Sequence, residues 1–202
     1  MDAKMKGMVM AAMSALCLVL GIMGAMGSTW LVPDEEMEGM DAGAGLTSQW
    51  AEMDAGSAEM CDMMADNMDD EGDAECDGSM LTMTVSFSDL CDAGDDESCD
   101  MATGGMIGTI GMWAGVLCAL LITLTMVLPM AGVDAMDAVP EMATKVATWG
   151  AGALMLVGML GWYMMLPDGG EMTLGMSGWM AGAAMSMGLG SALIGQFIEA
   201  DE

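Results

Sequence analysis

Four stretches of this chain carry no charged side chain: Gly7–Gly27, Met101–Val133, Val146–Pro167 and Met172–Ile198, of 21, 33, 22 and 27 residues. About 20 apolar residues in a helix cross the roughly 30 Å of bilayer hydrocarbon, so each stretch is long enough to span. Between the first and second lies the opposite composition, since residues 28–103 hold 22 of the 31 Asp and Glu and neither Lys nor Arg. The mean hydropathy of +0.50 and the net charge of -28 therefore belong to different parts of one chain. This segregation predicts an all-α membrane protein, a four-transmembrane-helix bundle with a small disulfide-stapled antiparallel β ectodomain in the first outside loop. The expected segments are a first transmembrane helix in 1–27, an acidic extracellular loop over 28–103, and a second helix at 104–131. A cytoplasmic loop at 132–145, a third helix at 146–167, a short outside turn at 168–174, a fourth helix at 175–198 and a cytoplasmic tail at 199–202 complete the plan.

Orientation follows from the three cations, Lys4, Lys6 and Lys145, because basic flanks stay on the cytoplasmic side. With four spans all three fall on one side, which puts both termini in the cytoplasm of a multi-pass plasma-membrane protein. The start of the chain also has the outline of a signal peptide cleaved after Gly27, with Lys4 and Lys6 ahead of an apolar core and Ala25 and Gly27 at its end. Its apolar core, residues 8–26, is 19 residues long against about 7–15 for a signal sequence, which favours retention as a helix.

Absent residue types exclude chemistry. The chain has no His and no Arg, which removes histidine bases, histidine metal or haem ligands, phosphate clamps and nucleic-acid grooves. None of the uncharged stretches contains an ionisable Asp, Glu, Lys, Arg or His of the kind proton relays and voltage sensors require. A non-enzymatic protein without nucleic-acid partners is expected.

Within the spans, small residues recur four apart, as in Gly104/Gly108, Gly111/Gly115 and Gly178/Gly182, and such spacing lets helix backbones approach. Either a homo-oligomer face or close packing inside one bundle would use them. Pro129 and Pro167 are expected to end or kink the second and third helices. Trp113, Trp149, Trp162, Tyr163 and Trp179 fit an interfacial aromatic belt.

The acidic loop holds Cys61, Cys76, Cys91 and Cys99. Thiols on an outside face can be oxidised, and a small acidic module has little apolar area with which to stabilise itself, so two disulfides are expected. Three connectivities are possible, and the most local joins Cys61 to Cys76 and Cys91 to Cys99. Met80–Ser88 alternates apolar and polar residues with period two and reads as a strand, with Thr29–Val32 as a second extended segment stopped by Pro33. Together they suggest a small sheet resting on the helix ends. Asp34–Ala58 is rich in Gly and acids, with Leu46 and Trp50 as its few anchors, and much of it is expected to be mobile.

Asn67-x-Asp69-x-Glu71-Gly72, followed by Asp73-x-Glu75-x-Asp77-Gly78, matches the first half of a calcium loop, in which alternate oxygens converge and Gly permits the bend. The twelfth positions are Gly78 and Thr84 instead of the bidentate Glu. Asp69, Glu71, Asp73, Glu75 and Asp77 are thus candidate Ca2+ ligands, with a solvated, salt-adapted acidic run as the alternative. No other cofactor is expected. The 32 methionines suit Cu(I) in principle, but they are spread evenly and are better read as apolar filler.

With Trp30 just beyond the first span, Gly45-Leu46 and Trp50 in the loop and a later cysteine pair, the chain resembles the claudin-like tetraspan superfamily of claudins, peripheral myelin protein 22 and calcium-channel gamma subunits. Trp50 stands three residues further from Leu46 than in that pattern, the loop has four cysteines where the family has two, and the family's loop Arg is missing. The resemblance implies four spans, cytoplasmic termini, a first outside loop with a sheet and disulfide, and adhesive, paracellular or accessory roles. The expected function is a structural, adhesive or accessory subunit of a membrane complex, partnered by membrane lipid and by other membrane subunits or copies of itself. A cation-attracting channel or divalent-cation-binding surface protein is the alternative, since 22 carboxylates would concentrate cations outside.

Overall fold

A computed structural model describes residues 2–34, 39–68, 72–130, 132, 140–167 and 172–198. The elements in order are α1 (Ala3–Met26), β1 (Leu31–Pro33), β2 (Met40–Ala44), β3 (Ser48–Asp54), α2 (Ala58–Met68), β4 (Asp73–Asp77), β5 (Met80–Ser86) and α3 (Phe87–Asp92). They continue with α4 (Asp96–Met130), α5 (Glu141–Tyr163), β6 (Met172–Leu174) and α6 (Met176–Phe197). The protein is mostly helical, with a small antiparallel sheet and two disulfides. Among the described residues three helices are long and apolar enough to cross a membrane: Lys4–Met26, Asp96–Pro129 and Glu141–Tyr163. The fourth uncharged stretch also forms a helix, α6 of 22 residues, but five Gly and three Ser dilute its apolar character.

Two compact units divide the chain, the first built from Met1–Met26, Gly108–Gly161 and Trp179–Glu202, the second from Gly27–Ile107 and Trp162–Gly178. In the first unit the helices meet through small residues. A methyl group added to Gly111 of α4 would lie 2.5 Å from the Cα of Gly158 on α5, and one on Gly152 of α5 would lie 2.5 Å from the backbone nitrogen of Leu189 on α6. Backbones at this separation gain dispersion contacts that larger side chains would forbid. Met112, Val116, Ala119 and Ile122 of α4 recur every three or four residues and are buried with Ala151 and Met155 of α5 and Ala184 of α6. On the outer sides Ile110, Leu117, Val157 and Leu193 are exposed, an arrangement suited to hydrocarbon and costly in water.

The α1–α6 pair is antiparallel over its whole length. Gly24 lies against Ala181, Ser14 Oγ and Ser191 Oγ share a buried hydrogen bond of 3.2 Å, and Lys6 reaches the last turn of α6. Of the glycine pairs, Gly111 and Gly115 pack on α5 within the chain, whereas Gly182 has only a Met159 methyl at 4.0 Å.

In the second unit the sheet has the strand order β4-β5-β3-β2-β1-β6, every neighbour antiparallel. Several expectations change here. Asp34–Ala58 contributes two strands, β2 and β3, and β3 pairs with β5 from Ser48↔Ser86 to Asp54↔Met80. The sheet also draws on more than the first acidic loop, since β6 follows α5 and pairs with β1 through Leu31↔Leu174. Phe87 and Ser88 leave the strand for α3, which Ser86 caps by accepting from the Ser88 N–H at 3.2 Å. Trp162 belongs to the core instead of an interfacial belt, with rings of Trp30 and Trp162 edge to face at 4.9 Å and both buried. Helix α4 begins eight residues before the expected span, at Asp96, whose carboxylate and that of Glu97 favour a helix N-terminus. It ends at Met130, directly after Pro129.

Candidate functional site

Strand register sorts the side chains of the sheet, because residues directly opposite one another project to the same face and successive residues alternate. The pairs Asp73↔Thr84↔Trp50↔Gly43 form one row, Glu75↔Thr82↔Glu52↔Asp41 the next, and Asp77↔Met80↔Asp54 a third. One face of the sheet therefore carries six carboxylates, Asp41, Glu52, Asp54, Asp73, Glu75 and Asp77, interleaved with Thr82 and Thr84. Residues 28–103 contain no cation to offset them. The other face is apolar, with Ala42, Ala51, Met83, Leu81, Leu31 and Leu174 in matching register.

Local geometry fixes the edges of the acidic face. Asp54 Oδ1 accepts from the Gly56 N–H at 2.9 Å, closing a turn in which Gly56 has φ +82°. That N–H and then the Ser79 hydroxyl hold the Asp54 carboxyl below its ordinary range. Gly78, with φ +64°, and Ser79 make the two-residue turn between β4 and β5, where the backbone needs a residue that accepts positive φ. The Trp50 indole crosses Gly43, where a methyl group would lie 3.0 Å from the ring, and its Nε1 donates to the Ser28 carbonyl at 3.0 Å.

Both disulfides join the sequence-local partners: Cys61–Cys76, with Cα atoms 6.0 Å apart, and Cys91–Cys99, at 4.5 Å. The first ties α2 to β4 on the apolar face, where Cys76 stands opposite Leu81, and both Cys61 and Leu81 are fully buried. Cys17 and Cys118 remain as free thiols.

Of the five candidate calcium ligands, Asp69 and Glu71 lie outside the described residues. Asp73, Glu75 and Asp77 occupy exposed alternate positions of β4, so their Cα atoms are spaced by about 6.6 Å, two strand residues, along a line. Gly78, which the calcium reading assigned to a cation-loop bend, serves the hairpin turn. Among the described residues no group of three His, Cys, Asp or Glu is gathered closely enough to hold a metal ion. What the sequence reading missed is the joining of β4 with β2 and β3, which assembles carboxylates from three separate segments on one face. The signal was present in the alternation of Asp73-Ala-Glu75-Cys-Asp77, which is a strand pattern as much as a ligand pattern.

No known protein family matches the sequence, and no curated protein is recognisably similar to it.

Proposed function

We propose that the chain is a four-span membrane protein without catalytic activity that uses its acidic sheet to dock a basic partner, as a structural, adhesive or accessory subunit of a membrane complex. The observation that carries this reading is the sorting of the sheet, with six carboxylates on one face and no neighbouring cation. An uncompensated face of one sign steers and selects a partner of the other sign. Four spans, where three helices meet membrane length and hydropathy together, are supported by the pairing of α6 with α1 from Gly24/Ala181 to Lys6/Ile198. A helix running beside a membrane-spanning helix over its whole length crosses the same thickness. In this reading both termini are cytoplasmic and residues 28–103 lie outside a plasma membrane, and the orientation is supported by Lys4, Lys6 and Lys145 all falling on one side.

The claudin-like plan is part of this proposal. Its support is Trp30 in the core beyond α1, Leu46 and Trp50 in the β2–β3 hairpin, and a disulfide-bearing sheet completed by a strand after α5. Purification of the full chain in mild detergent should recover a stoichiometric basic partner that is released by salt. A triple change of Asp41, Glu52 and Glu75 to their amides should abolish its capture. A partnerless monomer, or capture untouched by the triple change, would sink the reading.

A second reading is favoured by the same face: the carboxylates collect small cations, calcium among them, for a pore or at the surface. Ion flux through liposomes containing the chain alone would select it over the first.

A further inference from the structure

The apolar face of the sheet is covered only in part, and the uncovered part is an open cleft of about 1080 Å3 in the second unit. Strands β1, β2, β3, β5 and β6 form its floor, and the residues just after α5 form a wall. No lining residue is charged, although the surrounding segment is the most acidic part of the chain. The residues with polar side chains whose register faces the cleft or that line its wall are Gln49 and Tyr163. The volume lies just above the range of about 300–1,000 Å3 typical of small-molecule sites, and apolar walls with few polar groups are their usual chemistry.

One further observation identifies the occupant. The wall begins at Tyr163, the last residue of α5, and continues through Met164, which are 64% and 80% exposed. The cleft therefore opens where a membrane-length helix leaves the hydrocarbon, at the depth where lipid chains meet headgroups.

We propose that this cleft holds an acyl chain of a membrane lipid. The chain lies along the apolar floor beside Ala51 and Met83. This rests on the membrane reading above. It adds a specific lipid site to a protein otherwise solvated by lipid only along its helices.

The test uses the full chain in vesicles of phosphatidylcholine carrying a trace of a phosphatidylcholine analogue with a photoactivatable diazirine on its acyl chain. After irradiation and proteolysis, adducts are expected on β3, β5 and the 163–167 segment as well as on α1, α4 and α5. Filling the cleft with Ala51→Trp or, independently, Met83→Trp should cut the sheet adducts at least five-fold and leave the helix adducts unchanged. Retention of both disulfides in each variant reports that the sheet has folded. Adducts on helices with none on the sheet, or sheet adducts that survive both fillings, would overturn the lipid site alone. Absence of adducts anywhere would overturn the membrane reading with it, and a polypeptide cross-linked into the cleft would replace the lipid as its occupant.

Discussion

Lys6 Nζ donates to the carbonyl oxygen of Ile198 at 2.6 Å and to that of Gly195 at 3.0 Å, so the first helix caps the end of the last. The final carbonyls of a helix have no partner within it and carry the negative end of its dipole, and an ammonium group answers both needs. Lys6→Met is expected to lower stability by about 1–2 kcal/mol, and Lys6→Arg by much less, because the second keeps the charge and the donors. Thermal unfolding in one detergent would compare the three proteins. Equal losses for Met and Arg would mean that shape, and not the cation, matters at this position.

Gly111 and Gly158 place the backbones of α4 and α5 in contact, whereas Gly7 of α1 has nothing within 4 Å of where a methyl group would sit. Gly158→Ala should therefore cost about 1–3 kcal/mol, since the obstacle is backbone and cannot rotate away. Gly7→Ala should instead be neutral or stabilising by up to about 1 kcal/mol, as expected for a helical glycine in open space. The contrast is readable as a difference in midpoint temperature. A harmless Gly158→Ala would mean that the two helices stand further apart.

The two disulfides are expected to contribute unequally. Closing a separation of 15 residues, as Cys61–Cys76 does, restricts the unfolded chain by about 3 kcal/mol, and the separation of 8 in Cys91–Cys99 by roughly 2.5 kcal/mol. Cys61 and Leu81 are also fully buried beside the first bond, so a Cys61→Ser/Cys76→Ser pair adds a packing loss that Cys91→Ser/Cys99→Ser does not. Denaturant titration of the two double variants should rank the first as the more damaging, and the reverse order would show that α3 and the start of α4 depend more on their staple than the sheet does.

Asp54 gives the acidic face a defined response to pH. The Gly56 N–H and the Ser79 hydroxyl stabilise its charged form, so its folded pKa lies below the ordinary value of 3.8. The stabilisation is complete above the unfolded value and is lost as pH falls through the lower, folded one. Hydrogen exchange at the Gly56 amide should accordingly stay slow down to about pH 4 and quicken below it. Asp54→Asn keeps an oxygen for the Gly56 N–H but does not titrate, and its exchange profile should lack the acid step. An acid step that persists in Asp54→Asn would have to come from another carboxyl group.

Long-period features were legible in the sequence and short-period ones only where the residues were typical. The helices follow from uncharged length, and β5 from strict alternation through Leu81, Met83 and Val85. Strand β3 also alternates, with Gln49, Ala51 and Met53 against Trp50, Glu52 and Asp54, but alanine and acids are poor strand formers. It is a strand because β2 and β5 pair with both of its edges, a tertiary cause that no local window contains. Strand β4 was masked by its own chemistry, as carboxylates two apart fit a cation loop and a strand face equally well. The three residues of β6 are too few to carry any period, and only pairing with β1 defines them. Trp162 looked like a belt residue from its place near a helix end, and only its contact with Trp30 reveals a core role.

Asp41 and Glu52 stand directly opposite each other on β2 and β3, two carboxylates on the same face. Like charges in such a pair repel at Cβ separations of about 4.5–5.5 Å and cost up to about 1 kcal/mol. The repulsion reaches across the face at low ionic strength, where the screening length is about 30 Å at 0.01 M, and is confined to about 3 Å at 1 M. Glu52→Gln should thus stabilise the sheet in 10 mM salt by a few tenths to about 1 kcal/mol and leave it nearly unchanged in 1 M salt. Glu52→Lys should gain more at low salt, because attraction to Asp41 replaces repulsion. Denaturant titration of the full chain at the two salt concentrations measures all four differences. If neither variant stabilises at low salt, a bound cation or partner group already neutralises the pair in the purified protein. Repeating the low-salt titration after exhaustive chelation then separates a divalent ion, whose removal would uncover the gain, from a basic protein segment, whose hold would persist.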